Sequence, residues 1–424
     1  MRKAVIFIIA IILFYSCNKE QDLNNLNHNL PIININIDER YLWDPDSGLY
    51  VVGYNGISYE TCPFVANYNQ KWEYPSKISY TLNNKIAFED SVGLRIKGTC
   101  SRGNSMKSFG IYWRKKYGNR NLLYPIFNEK PIAEYKRLFL RNSGNDFGKS
   151  HIKDASIIQI IKDYANVEFQ DYQPCVLYLN DEYWGIYNIR DMITPHHFEN
   201  HYNIDNDKVD LLEGSELSPQ ADDGVIEDYM SEVVNFLQHN NISLDANYQS
   251  ISERIDIDSY IDYIIVETYI SNGDWPDNNA KWWRDNTSSN HRKWKWIIAD
   301  TDLAFKIENV NKVWIGSLYG KSNDSEKEDG FFIFNKLIRN NHFKEIFLNR
   351  YLFFVDTVFE KERVENIFKQ IQSKIELEYP NHQKKWNLLS IKEWNKEIED
   401  MIGFNNTRHD KMKLIINELL NEKR

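Results

Sequence analysis

Asn272-Gly273-Asp274-Trp275-Pro276-Asp277-Asn278-Asn279-Ala280-Lys281 leads, after Trp282-Trp283-Arg284, to Trp294-Lys295-Trp296-Ile297-Ile298-Ala299-Asp300-Thr301-Asp302-Leu303. Before this stretch, Ile257, Tyr260, Ile261, Ile264, Ile265 and Tyr269 recur at helical spacing, with Asp256 or Asp258 placed to cap. The Gly, Asp, Pro and Asn residues of 272–279 are turn material. Trp294, Trp296 and Ile298 then alternate as a strand. The chain therefore predicts a helix, a polar loop, and a strand whose end delivers Asp300.

Working outward, the N-terminal side is rich in strand patterns. Ile33, Ile35 and Ile37 alternate with Asn34 and Asn36. Leu49–Val52 comes after the turn residues Asp44-Pro45-Asp46-Ser47-Gly48, and residues 77–80 and 93–97 read as further strands. Ile152 to Tyr164 has a helical apolar face. Residues 175–179 and 184–189 bracket Asn180-Asp181-Glu182 as a hairpin. Beyond Asp222 the pattern is mostly helical, closing with helices near 358–377 and 390–420. A β-rich front and a helical back with an embedded β insert is an α+β arrangement.

Asp274 and Asn279 are five residues apart, and Asp300 lies 26 residues after Asp274. In protein-kinase catalytic loops an Asp and an Asn at that spacing orient the acceptor hydroxyl and bind magnesium, and a strand then brings a second acidic ligand. Two carboxylates ~4 Å apart repel by roughly 4 kcal/mol at an effective dielectric near 20. A cleft gathering Asp274, Asp300 and Asp302 therefore calls for a cation or a raised pKa. Oxygen ligands suit magnesium or manganese better than zinc. The ordinary alternative is a solvated turn.

The same stretch resembles the core of the CotH family of spore-coat protein kinases. Arg95-Ile96-Lys97-Gly98 with Ser101–Ser105 and Lys107-Ser108-Phe109 is similar to another element of that family. So are Leu140–Asp146, Tyr178–Arg190 and Val209–Glu213, in order along the chain. The resemblance implies a divergent, two-lobed protein-kinase-like fold that transfers phosphate from ATP to Ser or Thr of a protein, with magnesium or manganese. It implies Asp274 as catalytic, Asn279 and Asp300 as metal ligands with Asp302 beside them, and Lys107, Arg95 and Lys97 as phosphate contacts. For the last three a solvated strand edge is the alternative. Two departures stand out: Asp191 where a Glu is expected to pair with a lysine, and Lys97 where an Arg is common.

Residues 1–17 combine Arg2 and Lys3, an apolar run Ala4–Tyr15 and Ser16-Cys17. The run is shorter than the ~20 residues that span a bilayer. It predicts a signal peptide (1–16) and lipid on Cys17, with a polar tether to residue 30, a β-rich segment 31–90 and a main domain 91–424. The expected location is a membrane surface, periplasmic or external, reached through the lipid anchor. A net charge of −10 argues against nucleic-acid binding. The four cysteines leave three once Cys17 is lipidated, so one bridge is possible and small buried thiols are the expectation. His197 and His201 lack the His-Glu-x-x-His order of a metalloprotease and are not expected to hold a metal. No Gly-x-Ser-x-Gly elbow occurs. A high aromatic content, 14%, also suits a non-catalytic module binding a nucleotide, a glycan or a protein.

Overall fold

The computed structural model describes residues 28–59, 62–127, 132, 134–276, 278–287, 293–312 and 331–421. The signal peptide and Cys17 lie outside the described residues, as does Asp277.

The front of the molecule is a closed seven-stranded barrel. Strand Ile32–Ile37 pairs in parallel with Tyr172–Leu179, which turns through a hairpin into Glu182–Asp191. The ring continues antiparallel through Arg137–Arg141, Ser108–Tyr112, Lys85–Lys97 and Tyr74–Leu82, back to the first strand. Period-two alternation fills its interior: Ile33, Ile35, Val92, Leu94, Ile96, Leu138, Leu140 and Ile189 are buried together. The opposite phase of the same strands sends Arg95, Lys97, Arg137 and Arg141 to the outer face. Strand Lys85–Lys97 runs unbroken through residues 90 and 91, so the N-terminal β segment and the first strands of the main domain share one barrel.

A second sheet has five strands, in the order Glu168–Phe169, Lys295–Ile298, Lys281–Asp285, Val209–Ser215, Ser218–Asp223. One face buries Trp282, Trp296 and Ile298 against the helices; the other packs Trp283 and Ile297 on Phe198 of helix Pro195–Tyr202. Helix Ile257–Ile270 lies buried behind this sheet, and helices Asn341–Phe353, Lys361–Ile375 and Ile391–Asn421 complete the back. The fold is α+β, with a β-rich N-terminal part and a helical C-terminal part.

The capped helix that precedes the 272–281 loop is present: Asp256 accepts from the Ser259 N–H at 3.0 Å. Two expectations need correction. Leu49–Val52 is not a strand, because the N–H groups of Leu49 and Tyr50 bond back to the carbonyls of Tyr41 and Leu42. Cys62 and Cys100 are not free thiols but a disulfide, leaving Cys175 buried and unpaired. The 38-residue separation hid the pair in the sequence; the fold brings the Cα atoms to 5.2 Å.

Candidate active site

Helix Ile257–Ile270 ends on Ser271 in the left-handed region, and the loop after it is pinned at both ends. Asn272 donates to Glu267 at 3.0 Å, and the buried Trp275 indole donates to the Tyr263 hydroxyl at 2.7 Å. Between these anchors Asp274 stands half-buried, its carbonyl accepting from Asn278 N–H at 2.9 Å. Asn279 and Asp300 both have positive φ, which asparagine and aspartate tolerate better than most residues. That geometry lets the Asn279 amide reach the Asp300 carbonyl at 3.4 Å. The loop and the strand end are thus tied together.

The centre of the site is a residue whose role was not legible in the sequence. Arg141, at the end of its barrel strand, bonds through Nη2 to Asp300, and to Asp302 at 2.6 Å. Its Nε lies 3.6 Å from Asp154, which also takes Arg190 and the Thr301 hydroxyl, the latter at 3.0 Å. Asp302 further accepts from Asn145, through the backbone N–H at 2.9 Å and the side-chain amide at 3.1 Å. Gly144 is required here: a Cβ on it would lie 2.0 Å from Asp302 Oδ2. Only the alternation of Arg137-Leu138-Phe139-Leu140-Arg141 hinted that Arg141 would leave the barrel core.

This cluster has too few cations. Burial, then repulsion from Asp300, pushes Asp302 well above the usual carboxylate range. Arg141 at 2.6 Å does not reverse that, because the guanidinium is shared with Asp300 and Asp154. Burial disfavours the Arg141 charge, yet those same carboxylates hold it firmly protonated. Asp274 is raised by burial and by Asp300, against a lowering pull from Lys306. Glu267 is raised to about 8, chiefly by burial. An oxygen-only donor set in which carboxylates outnumber the cations that meet them fits a hard divalent cation. Asp300, half-exposed, and Asn279 would hold it, with Asp302 beside them.

The cationic residues expected to meet phosphate divide. Lys97 has its pKa lowered to about 8 by burial first, then by Arg95, Arg102 and Lys281, with Asp222 opposing. Lys97 is therefore on the barrel face that looks toward the second sheet, and it has no ion-pair partner among the described residues. Arg95 is beside it, its guanidinium 5.5 Å from the Tyr112 ring. Lys107 is placed differently. Its ammonium donates to the carbonyls of Arg102 at 2.6 Å and Asn104 at 3.1 Å, and lies 3.8 Å from the Tyr68 ring centre. It braces the loop 98–104, whose Asn104 amide reaches the Gly144 carbonyl at 3.4 Å, rather than facing an open anion site.

Asp191 pairs with two histidines, not with a lysine: His197 Nδ1 and His201 Nε2 each lie 2.8 Å from Oδ2. Glu168 takes the other His197 nitrogen at 3.0 Å. Ligand atoms of Glu168, His197 and His201 all fall within 4.8 Å of one another, although both His197 nitrogens already meet carboxylates.

The family model described as CotH kinase protein matches residues 94–412. Among solved structures, the chain is similar to the Helicobacter pylori proinflammatory kinase CtkA at 11% identity. That match covers 81% of this chain and 94% of the other, with a TM-score of 0.28, too low to carry an argument. No curated protein matches.

Proposed function

The chain belongs to the CotH kinase family, and from that premise we propose that it transfers the γ-phosphoryl group of ATP to a Ser or Thr hydroxyl of a protein, with magnesium or manganese, outside the cytoplasm. The observation that carries this reading is that the loop bearing Asp274 and Asn279 is tied, through the Asn279 amide at 3.4 Å, to the strand end whose Asp300 and Asp302 share Arg141. In this reading the half-buried Asp274 accepts the hydroxyl proton as the hydroxyl oxygen bonds to phosphorus and the bond to the ADP oxygen breaks. Burial and the Asp300 charge raise its pKa, the direction that strengthens a carboxylate base. A divalent ion, when bound, neutralises phosphate charge; this chain's part is to offer Asp300 and Asn279 to it and to hold Asp302 in place through Arg141 and Asn145. Lys97 and Arg95 supply positive charge for the phosphates from the barrel wall.

Export through the N-terminal signal and anchoring by lipid on Cys17 remain part of this proposal. The Cys62–Cys100 bridge supports it, since disulfides persist mainly in oxidising compartments. No helix among the described residues is long and apolar enough to cross a membrane.

The test is labelling from γ-labelled ATP with magnesium or manganese, for the wild type beside Asp274→Ala and Asp300→Ala. The reading expects metal-dependent labelling by the wild type alone. Equal labelling by all three would remove it. The second reading is a module that binds a nucleotide without turnover. It draws on Arg141, whose guanidinium already occupies the acidic centre; metal-dependent ATP binding with no labelling would favour it.

A further inference from the structure

Away from the acidic cluster, the outer barrel face carries a second concentration of charge. A cavity of about 370 Å³ is lined by Arg114, Lys115, Arg120, Lys136, Arg137 and His196 around the Tyr112 ring. It stands out in a chain whose net charge is −10. Two carboxylates balance part of it. Glu73 takes Arg114 through both oxygens, at 2.8 and 3.0 Å, and Glu199 lies 3.3 Å from Lys136.

Arg137 is left over. Its Nε is buried with no hydrogen-bond partner. Asp223 and Glu73 act on it only at a distance, and burial pulls its pKa down. Its guanidinium instead lies 5.9 Å from the Tyr112 ring centre, where Arg95 at 5.5 Å and Arg114 at 5.1 Å also gather. Arg137 is half-buried, and an Nε shut off from water with no partner is costly unless something else meets it. The His196 pKa is lowered chiefly by burial; Glu199, 2.8 Å from its Nδ1, opposes this, and Lys136 and Arg137 add to it.

We propose that this cavity is a binding site for a phosphate monoester, carried on a phosphorylated Ser or Thr of a protein segment or on a small free ligand. The chemistry argues for phosphate over a single carboxylate. A phosphate monoester is close to dianionic at neutral pH and offers three acceptor oxygens. The planar fork of Arg137 can take two of them, and Lys115 and Arg120, exposed at the rim, can meet the rest. The cationic residues form one concave pocket rather than the stripe that a nucleic-acid backbone needs. None of the residues lining the cavity belongs to the acidic cluster, and the site does not depend on phosphoryl transfer there.

Calorimetric titration of the whole folded chain, without ATP or metal, tests it. The probes are O-phosphoserine, inorganic phosphate, a phosphoserine peptide and its unphosphorylated counterpart, at constant ionic strength. The expected result is binding that requires the phosphate group and weakens at least about tenfold in Arg137→Gln. If that variant is poorly folded, the exposed pair Lys115→Gln with Arg120→Gln carries the test, with a loss of about three- to tenfold. Tighter binding of the phosphopeptide than of free phosphate assigns the source to protein; equal binding assigns it to a small anion. Equal affinity for phosphorylated and unphosphorylated peptides, or unchanged affinity in a folded Arg137→Gln, overturns the proposal. Asp274→Ala binds these probes like the wild type, so a failed kinase assay leaves this result readable.

Discussion

Two neighbouring regions of the outer barrel surface solve opposite charge problems. At Arg141 two carboxylates, Asp300 and Asp302, share one guanidinium, with Asp154, itself paired to Arg190, 3.6 Å away. Around Lys97 and Arg137 it is the cations that lack partners among the described residues. Every one of these cations sits on a barrel strand whose other face builds the apolar core. Strand alternation alone therefore places charge on this surface, whereas the approaching element decides whether the charge is neutralised. The loop and strand end at 272–302 neutralise Arg141; among the described residues nothing comparable reaches Lys97 or Arg137. The acidic side and Lys97 suit a ligand that brings a metal and phosphates together, whereas Arg137 suits the separate phosphate monoester proposed above.

The comparison breaks most severely if the acidic side is emptied. Asp274→Ala is expected to lower the phosphorylation rate by about 10²- to 10⁴-fold, the usual worth of a positioned base, with the fold intact by circular dichroism. Removing the shared cation tests the same side differently. Arg141→Met leaves Asp300 and Asp302 facing each other with no guanidinium between them, and urea unfolding without metal should show a loss of about 3–5 kcal/mol. Addition of magnesium should restore part of that loss, because an ion can take over the charge that Arg141 supplied.

How much of this was legible in the sequence depends on the same physics. The helix Ile257–Ile270 and the strand ending at Ile298 could be read because their periodicities, about 3.6 and 2, are written in large apolar residues. That the loop of Asp274 and Asn279 returns to the strand end at Asp300 could be read because its turn chemistry is local. Arg141 and its Asp154 partner could not, since they come from a strand and a helix that meet the 300–302 segment only in three dimensions. The disulfide was hidden for the same reason: parity of cysteines says nothing about which segments of the fold are neighbours. The surroundings of Lys107 were not legible, because a lysine in a β-rich region looks equally suited to a phosphate or to the loop-base carbonyls that it meets here.

Smaller effects sharpen the cationic side. Lys97→Met should raise the KM for ATP by about tenfold and change kcat little, as loss of ground-state phosphate contact would. An equal fall in kcat with KM unchanged would place Lys97 at the transferring group instead. The smallest expected effect is a pH dependence at the His197–Asp191 pair. His197 is buried, but its carboxylate neighbours hold its pKa up at about 9. The stability it contributes is therefore complete below about 6.5 and is lost as pH rises through about 9. Thermal melts of wild type and His197→Gln should converge at alkaline pH and diverge near pH 6.

The claim that the acidic cluster serves an ion and a nucleotide jointly is tested most directly by manganese binding monitored by electron paramagnetic resonance, with and without a non-hydrolysable ATP analogue. The account predicts that the analogue tightens manganese binding to the wild type and that Asp300→Asn abolishes this gain. Manganese binding that ignores the analogue, or that survives unchanged in Asp300→Asn, would contradict it.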